Sequence, residues 1–469
     1  MLNGIGDKSG GMRNEAISVV GLGKLGAPMA ACFAARGLRV IGVDADTLKV
    51  EAIHRGQAPV FEPGLQQVIH AGQGRLSATH EIMRAVLDSE ITFIVVATPS
   101  KPDGSFSLRH VLPACEQIGR TLQAKDDFHL VVLTSTVMPG TTAGPVRSAL
   151  EQASGKVAGK DFGLCYGPEF IALGTVIRDF LNPDFVLIGE SDPRSGAILE
   201  TLYQRVCENA PPIARMSLIS AEVAKLAVNT YITTKISFAN MLARICERLP
   251  GTDVDAVTNA LGMDSRIGPK YLKGAISYGG PCFPRDNLAM TALARLIGAP
   301  ADIAEVTDDF NRAQIRWLAD VASSHCNGDR AIAILGLTYK PNTDVVEAAA
   351  GLLLAQELIS RGMNVVAYDP AGNRKAEILL EGTARIATCA EECVQNAEVV
   401  VVTTPWPEFI RLRPEIWSGN RHNGSSSRTV IDCWNVLGQL RGCQGVRHVR
   451  LGLAVESQFQ PSEFFTSLA

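Results

Sequence analysis

The chain has no apolar stretch of the roughly 18 to 20 residues that a helix needs to cross a bilayer, so no membrane span is expected. Its eleven cysteines form no CxxC pair and no Cys/His cluster at zinc spacing, so neither a disulfide framework nor a structural metal is expected. There is no basic block: Lys plus Arg number 44 against 48 Asp plus Glu, a formal net charge of −4. Nucleic acid and anionic membrane are therefore not expected as partners. The opening MLNGIGDKSGGMRNE lacks the basic start and apolar run of a signal peptide and reads as a flexible leader over residues 1–15. A cytoplasmic protein is expected.

What is present is a chain of 469 residues, 46% hydrophobic and 20% charged, past the size at which one core keeps growing, so two or three domains are expected. The β-rich run Ala16–Val20 flows into Gly21-Leu22-Gly23-Lys24-Leu25-Gly26 and then a helical segment over 27–36, which Gly37 stops. A second strand over 38–43 ends at Asp44, 18 residues beyond Gly26. This is the dinucleotide fingerprint in its βαβ setting. The first glycine makes the turn, the second admits the pyrophosphate to the backbone, and the third lets helix and strand pack closely. Asp44 is expected to accept from the ribose hydroxyls and to repel a 2′-phosphate, which favours NAD over NADP. Further strands are expected over 91–97, 130–134, 161–165 and 185–188.

From Ser217 to Leu249 the sequence has neither glycine nor proline, which predicts one helix of about 30 residues and roughly 45 Å. A helix of that length is expected to link two halves and to pack against a second copy of the chain. Past 326–330 the strand and helix alternation restarts, with strands over 331–335, 364–368 and 397–402 and a helix over 351–361, but without a second GxGxxG. The fold class expected is α/β, two doubly wound Rossmann-like domains joined by a long central helix. The two lobes should hold different ligands, with the reacting atoms meeting between them.

Chemistry is concentrated in Tyr278-Gly-Gly-Pro-Cys-Phe-Pro-Arg-Asp286, where two glycines and two prolines surround Cys282. A buried, inert thiol is the ordinary reading; the flanking glycines and the nearby Arg285 favour a nucleophile equally. On the long helix, Glu222, Lys225 and Asn229 at i, i+3 and i+7 share a face. They read either as a solvated polar stripe or as the Lys/Asn pair with which a dehydrogenase holds an alkoxide or water. Thr134–Gly140 and Tyr166-Gly-Pro-Glu169 offer hydroxyls and a carboxylate at strand ends, or are ordinary turn chemistry.

With those residues in view the chain resembles the nucleotide-sugar 6-dehydrogenase family, the UDP-glucose and GDP-mannose dehydrogenases. The likeness runs from about Ile17 to Leu437 through GLGKLG, VDADTLKVEAIHRGQAPVFEPGL, VVATP, TSTVMPG, GPEF, KLAVNTY, SRIG, YGGPCFPRD and GLTYKPNTD. It implies NAD-dependent four-electron oxidation of a sugar C6 alcohol to a uronic acid through a Cys282 thiohemiacetal and thioester. Lys225 and Asn229 would stabilise oxyanions, Asp286 would position or activate water, and Thr136 and Glu169 would complete the relay.

The same resemblance implies NAD contacts from Gly21, Leu22, Gly23, Lys24, Leu25, Gly26, Asp44, Lys49, Thr98, Thr136 and Arg285. For the nucleotide sugar it implies Glu169, Phe170, Leu173, Lys225, Asn229, Lys273, Tyr278, Gly279, Tyr339, Lys340 and Trp434, with Arg266 reaching across a homodimer. The domains implied are an NAD-binding domain over 16–216, a central helical dimerisation domain over 217–326 and a nucleotide-sugar-binding α/β domain over 327–469. The chain departs from the family pattern at Leu173, where an acid is usual, and at Glu347 and Trp434, where arginines are usual. Those departures suggest a specialised UDP-sugar. A two-electron β-hydroxyacid-type dehydrogenase and a catalytically silent nucleotide-sugar binder are the competing readings.

Overall fold

The computed structural model describes residues 16–326, 330–395, 397–418 and 427–454; the expected leader over 1–15 lies outside the described residues. The chain divides into two compact units, Met1–Lys225 and Leu226–Ala469.

The first unit is built on eight strands: β1 Ala16–Val20, β2 Arg39–Val43, β3 Leu76–Thr79, β4 Ile91–Ile94, β5 Leu130–Leu133, β6 Gly163–Tyr166, β7 Val186–Glu190 and β8 Ile213–Ser217. Their order is β3-β2-β1-β4-β5-β6-β7-β8. Strand order reverses beside β1, which pairs with β2 on one side and β4 on the other. Its carboxyl end is thus the crevice where doubly wound sheets take a ligand. The central strands β1, β4, β5 and β6 are buried along their whole length, as strands covered by helices on both faces must be. Pairing is parallel except between β6 and β7, which run antiparallel with Cys165 opposite Glu190. Strands β3 and β8 were not foreseen from the sequence.

The second unit carries six parallel strands: β9 Ala331–Leu335, β10 Val365–Tyr368, β11 Arg385–Ile386, β12 Ala397–Val402, β13 Arg428–Asp432 and β14 Val446–Arg450, in the order β11-β10-β9-β12-β13-β14. The doubly wound reading of both lobes is correct, and β11, β13 and β14 extend the second one beyond what was expected.

The second lobe keeps the backbone geometry of a fingerprint it lacks in sequence. In the first unit a Cβ on Gly26 would stand 1.8 Å from the Gly21 carbonyl oxygen; in the second, a Cβ on Gly351 would stand 1.9 Å from that of Gly336. Gly21 and Gly336 both turn at positive φ, +105° and +109°. Leu22 N–H donates to Asp44 at 2.7 Å, and Leu337 N–H donates to Asp369 at 2.8 Å. The acids differ in what remains to them. Asp369 is buried and also accepts from Thr338 N–H and hydroxyl, Ala371 N–H, Gly372 N–H and the Trp406 indole. Asp44 accepts from Asp46 N–H and Lys49, and keeps part of its surface exposed.

The expected long helix runs over Leu218–Cys246, 29 residues. Its buried face sets polar side chains among apolar ones such as Leu226, and large apolar side chains lie outside. Glu222, Lys225 and Asn229 are 0%, 8% and 8% exposed, while Tyr231 and Phe238 are 64% and 47% exposed. The solvated-stripe reading of the polar face is therefore wrong; the polar face is inward because each of its side chains has a partner there. Among the described residues no helix is long and apolar enough to cross a membrane.

Candidate active site

The residues singled out in the sequence fall into two sets, one on each unit. On the first, the turn after β1 is shaped by steric necessity. A Cβ on Gly21 would meet the Val95 carbonyl oxygen at 2.6 Å, whereas one on Gly23 would meet nothing within 4 Å. Gly21 and Gly26 are thus required by packing, and Gly23 leaves open space beside its backbone. Lys24 and Leu25 are partly exposed in the same turn, and Leu22 is buried. Asp44, at the end of β2, is met by Lys49 Nζ at 3.2 Å, so Lys49 enters as the partner of that carboxylate.

The loops after β4 and β5 are tied together. Thr98 donates its hydroxyl to the Thr136 carbonyl at 2.7 Å, and Ser135 donates to the Val96 carbonyl at 2.6 Å. Thr136 remains partly exposed. The loop is anchored by Glu222, whose buried carboxylate accepts from Gly140 N–H at 2.6 Å, Thr142 N–H at 2.7 Å and the Thr142 hydroxyl at 2.6 Å. One turn further along the long helix, Lys225 donates to the Glu169 carbonyl oxygen at 2.6 Å, and its ammonium stands 4.5 Å from the centre of the Phe170 ring. Phe170 is itself packed on Phe185, with ring centres 4.7 Å apart.

The Glu169 carboxyl group accepts from the buried hydroxyl of Tyr203 at 2.7 Å. Burial pushes it up from the ordinary carboxylate range to about 7, against the opposing pull of the Tyr203 hydrogen bond and the Lys225 charge. A carboxyl group at that value can both take and give a proton near neutrality. Leu173 is partly exposed in the following loop. That loop is held by Glu62, which accepts from Gly174 N–H and Val176 N–H, both at 2.8 Å.

On the second unit Cys282 is exposed and stands immediately before the helix Phe283–Ile297. The positive end of a helix favours an anion at that position. In the first turn of the same helix, Asp286 is buried and accepts from Asn229 Nδ2 at 2.6 Å. Arg285 Nε lies 3.8 Å from the other Asp286 oxygen.

The segment leading to the cysteine is fixed by two asparagine amides acting as backbone surrogates. Asn240 donates to the Ile276 carbonyl and accepts from Ala275 N–H, both at 2.8 Å; Asn311 accepts from Tyr278 N–H at 2.8 Å and donates to its carbonyl at 3.0 Å. The Tyr278 hydroxyl accepts from Asn287 at 2.8 Å. Gly279 and Gly280 admit no side chain: a Cβ on the first would meet the Ala348 carbonyl oxygen at 2.1 Å, and one on the second the Tyr339 ring at 2.7 Å.

The remaining expected residues are also on the second unit. Lys340 is partly exposed, with its ammonium 5.8 Å from the Tyr339 ring centre. Lys273 is paired with Asp255 at 2.5 Å, and Asn435 donates to the other Asp255 oxygen at 3.2 Å. Arg266 is 87% exposed at its side chain and paired with Asp264 at 2.6 Å. Trp434 donates its indole N–H to the Thr403 carbonyl at 2.9 Å and packs on the core of the second unit. Glu347 is exposed, and its backbone carbonyl accepts from Gly280 N–H at 2.9 Å. Tyr203, Asn240 and Asn311 were not found by sequence reasoning, since each is an ordinary residue type outside any chemical motif; Glu62 lies in the quoted stretch ending FEPGL, but no role was read for it.

Family models for the UDP-glucose/GDP-mannose dehydrogenase family match three successive stretches: the NAD binding domain over 15–207, the central domain over 219–313 and the UDP binding domain over 333–439. The chain belongs to this family. A UDP-glucose 6-dehydrogenase of Haloferax volcanii is 36% identical over 91% of this chain and 98% of its own length. A GDP-mannose 6-dehydrogenase of Azotobacter vinelandii is 33% identical over 86% of this chain and 95% of its own. The solved UDP-glucose dehydrogenase of the archaeon Pyrobaculum islandicum superposes with a TM-score of 0.85 at 32% identity, covering 96% of this chain and 100% of that one.

The protein is accordingly an NAD-dependent dehydrogenase that oxidises a nucleotide sugar to a uronic acid. The first unit fits the cofactor: an open turn at Gly23 and a partly exposed acid at the end of β2 are what a pyrophosphate and a ribose require.

Proposed function

We propose that the protein oxidises the C6 alcohol of a UDP-sugar to the acid in four electrons, with Cys282 as covalent nucleophile. The observation that carries this reading is that Cys282 alone of the eleven cysteines is exposed, at a helix start whose first turn holds the buried Asp286. The turn after β1 and Asp44 would hold NAD, two molecules of which, bound in succession, would supply the hydride acceptors for the two oxidations. Lys225 and Asn229 stabilise the alkoxide that forms as the C6 hydroxyl loses its proton, and Glu169 with Thr136 carries that proton away.

Cys282 Sγ then adds to the aldehyde carbon. An aldehyde has no alkoxide to expel hydride, and the thiohemiacetal restores one, so the same oxyanion contacts serve the second oxidation. Water positioned by Asp286 cleaves the resulting thioester, releasing the acid and the free thiol.

A UDP-sugar is favoured by the third family model, a UDP binding domain. Leu173, Glu347 and Trp434, where the family resemblance implies charged contacts, favour a specialised sugar over UDP-glucose itself. A homodimer is supported by the apolar stripe of the long helix, where Ile219, Val223, Tyr231, Phe238, Met241 and Ile245 are all exposed. An apolar surface of that length is costly to leave in water. The exposed Arg266 is the residue read as reaching into the partner's site. A cytoplasmic location is part of the same reading.

The test is a screen of nucleotide sugars with NAD, following NADH absorbance and product mass. Two NADH per substrate and a uronate product support the reading. One NADH per substrate and an aldehyde or ketone product would replace it with a two-electron dehydrogenase, and no NADH with any sugar would leave a silent binder.

A further inference from the structure

Glu169 has a partner that the chemistry above does not use. Tyr203 lies on the helix Pro193–Val206, is 3% exposed, and donates its hydroxyl to Glu169 Oε1 at 2.7 Å. Gly167, two residues before Glu169, packs tightly on Val132, which a Cβ there would meet at 3.0 Å. The peptide of Glu169 is fixed independently, because its carbonyl accepts from Lys225 at 2.6 Å. Main chain and side chain are thus each held by one donor from a different helix.

The other titratable groups facing Glu169 are thiols. Cys207 follows Tyr203 at the end of its helix, and Cys32 lies on the helix Gly26–Ala35, with Glu208 acting on it as well. Burial and then Glu169 push Cys207 up to about 11 against the nearby Arg36, burial and then Glu208 and Glu169 push Cys32 up to about 12, and burial and then Glu169 hold the Tyr203 hydroxyl well above its ordinary range. All three keep their protons near neutrality, so Glu169 changes charge there against a constant background with Lys225 beside it.

We propose that Tyr203 is a positioning residue for Glu169: its buried O–H fixes the orientation of the carboxyl group and favours the ionised form, and so sets the pH at which Glu169 can take a proton. A hydroxyl donated to a carboxylate stabilises the charge, and here the donor is buried. The inference rests on the part given to Glu169 in the relay.

The test is Tyr203→Phe, which removes one oxygen and keeps the ring that packs 6.5 Å from Phe180. The Glu169 carboxyl is titrated by difference infrared spectroscopy, its band assigned by its loss in Glu169→Gln, and the pH dependence of kcat is measured in parallel. The midpoint is expected to rise by about one pH unit, the shift that loss of one hydrogen bond to a charged group produces. The acid limb of kcat should move with it, and KM for NAD should stay unchanged. A midpoint that does not move overturns the proposal, even if kcat falls uniformly. A midpoint that moves while the acid limb stays in place upholds the role of Tyr203 in setting the ionisation and removes Glu169 from the relay.

Discussion

Asn229 and Asp286 are joined side chain to side chain, Nδ2 donating to Oδ2 at 2.6 Å, and both are buried. The residue named for oxyanion stabilisation is therefore oriented by the residue named for water activation. Asp286→Asn removes the charge and basicity of the carboxylate while its amide oxygen can still accept from Asn229, so it tests the acid-base role without changing shape. The expected result is a fall in kcat of about 10²- to 10⁴-fold, the usual range for a lost acid-base group, with NAD affinity unchanged. Steady-state NADH formation and an NAD titration check both halves of the statement.

Cys282→Ser should retain NAD binding and the first oxidation while halting the second, because serine is a far weaker nucleophile toward the aldehyde at neutral pH. Mass analysis of a single turnover should then find aldehyde, or its hydrate, in place of uronate. Undiminished uronate would remove the covalent step from the mechanism.

Asp44 has two tasks in this structure, and a substitution there tests both. Its carboxylate accepts from Leu22 N–H and Asp46 N–H as well as facing Lys49, so Asp44→Ala should loosen the turn and remove the ribose acceptor together. NAD affinity is expected to fall at least tenfold, about 1.4 kcal/mol, by calorimetric titration. An unchanged affinity would mean that the ribose is held elsewhere.

The exposed stripe of the long helix gives the assembly prediction. Phe238→Glu places a charge within it at an exposed position. Sedimentation should show a monomer where the unmodified chain sediments as a dimer. If Arg266 serves the partner's site, activity should fall in step with the loss of dimer. A monomer of full activity would refute the cross-subunit role.

The sequence disclosed most of the two sheets because their central strands are continuous Val, Ile and Leu runs, the pattern of strands buried on both faces. It missed Leu76–Thr79, Ile213–Ser217 and Val446–Arg450, which are only partly buried and correspondingly polar. Arg428–Asp432 was hidden for the opposite reason. It is wholly buried, but its two end residues are charged, and only the fold supplies what satisfies them: Arg428 donates to the carbonyls of Gln395, Ala397 and Ile416. The reversed direction of Val186–Glu190 has no signature in composition or spacing.

At the candidate site, the residues that carry chemistry were legible as motifs, and what the residues that hold them do was not. Which face of the long helix points inward was unreadable, since Glu222 is satisfied by a loop 80 residues away in the chain. Tyr203 and Glu62 act at similar remove, through contacts that span 34 and 112 residues.

The second lobe shows what separates a dinucleotide site from a scaffold of the same shape. Its acid at the end of β10 receives six donors from its own chain, more than the roughly four lone-pair directions a carboxylate offers, so several must be shared. Grafting a glycine-rich turn onto that lobe would leave the acid as occupied as before, and a cofactor diol presented there would find no acceptor. The division of labour between the lobes is thus written in hydrogen-bond occupancy rather than in strand order.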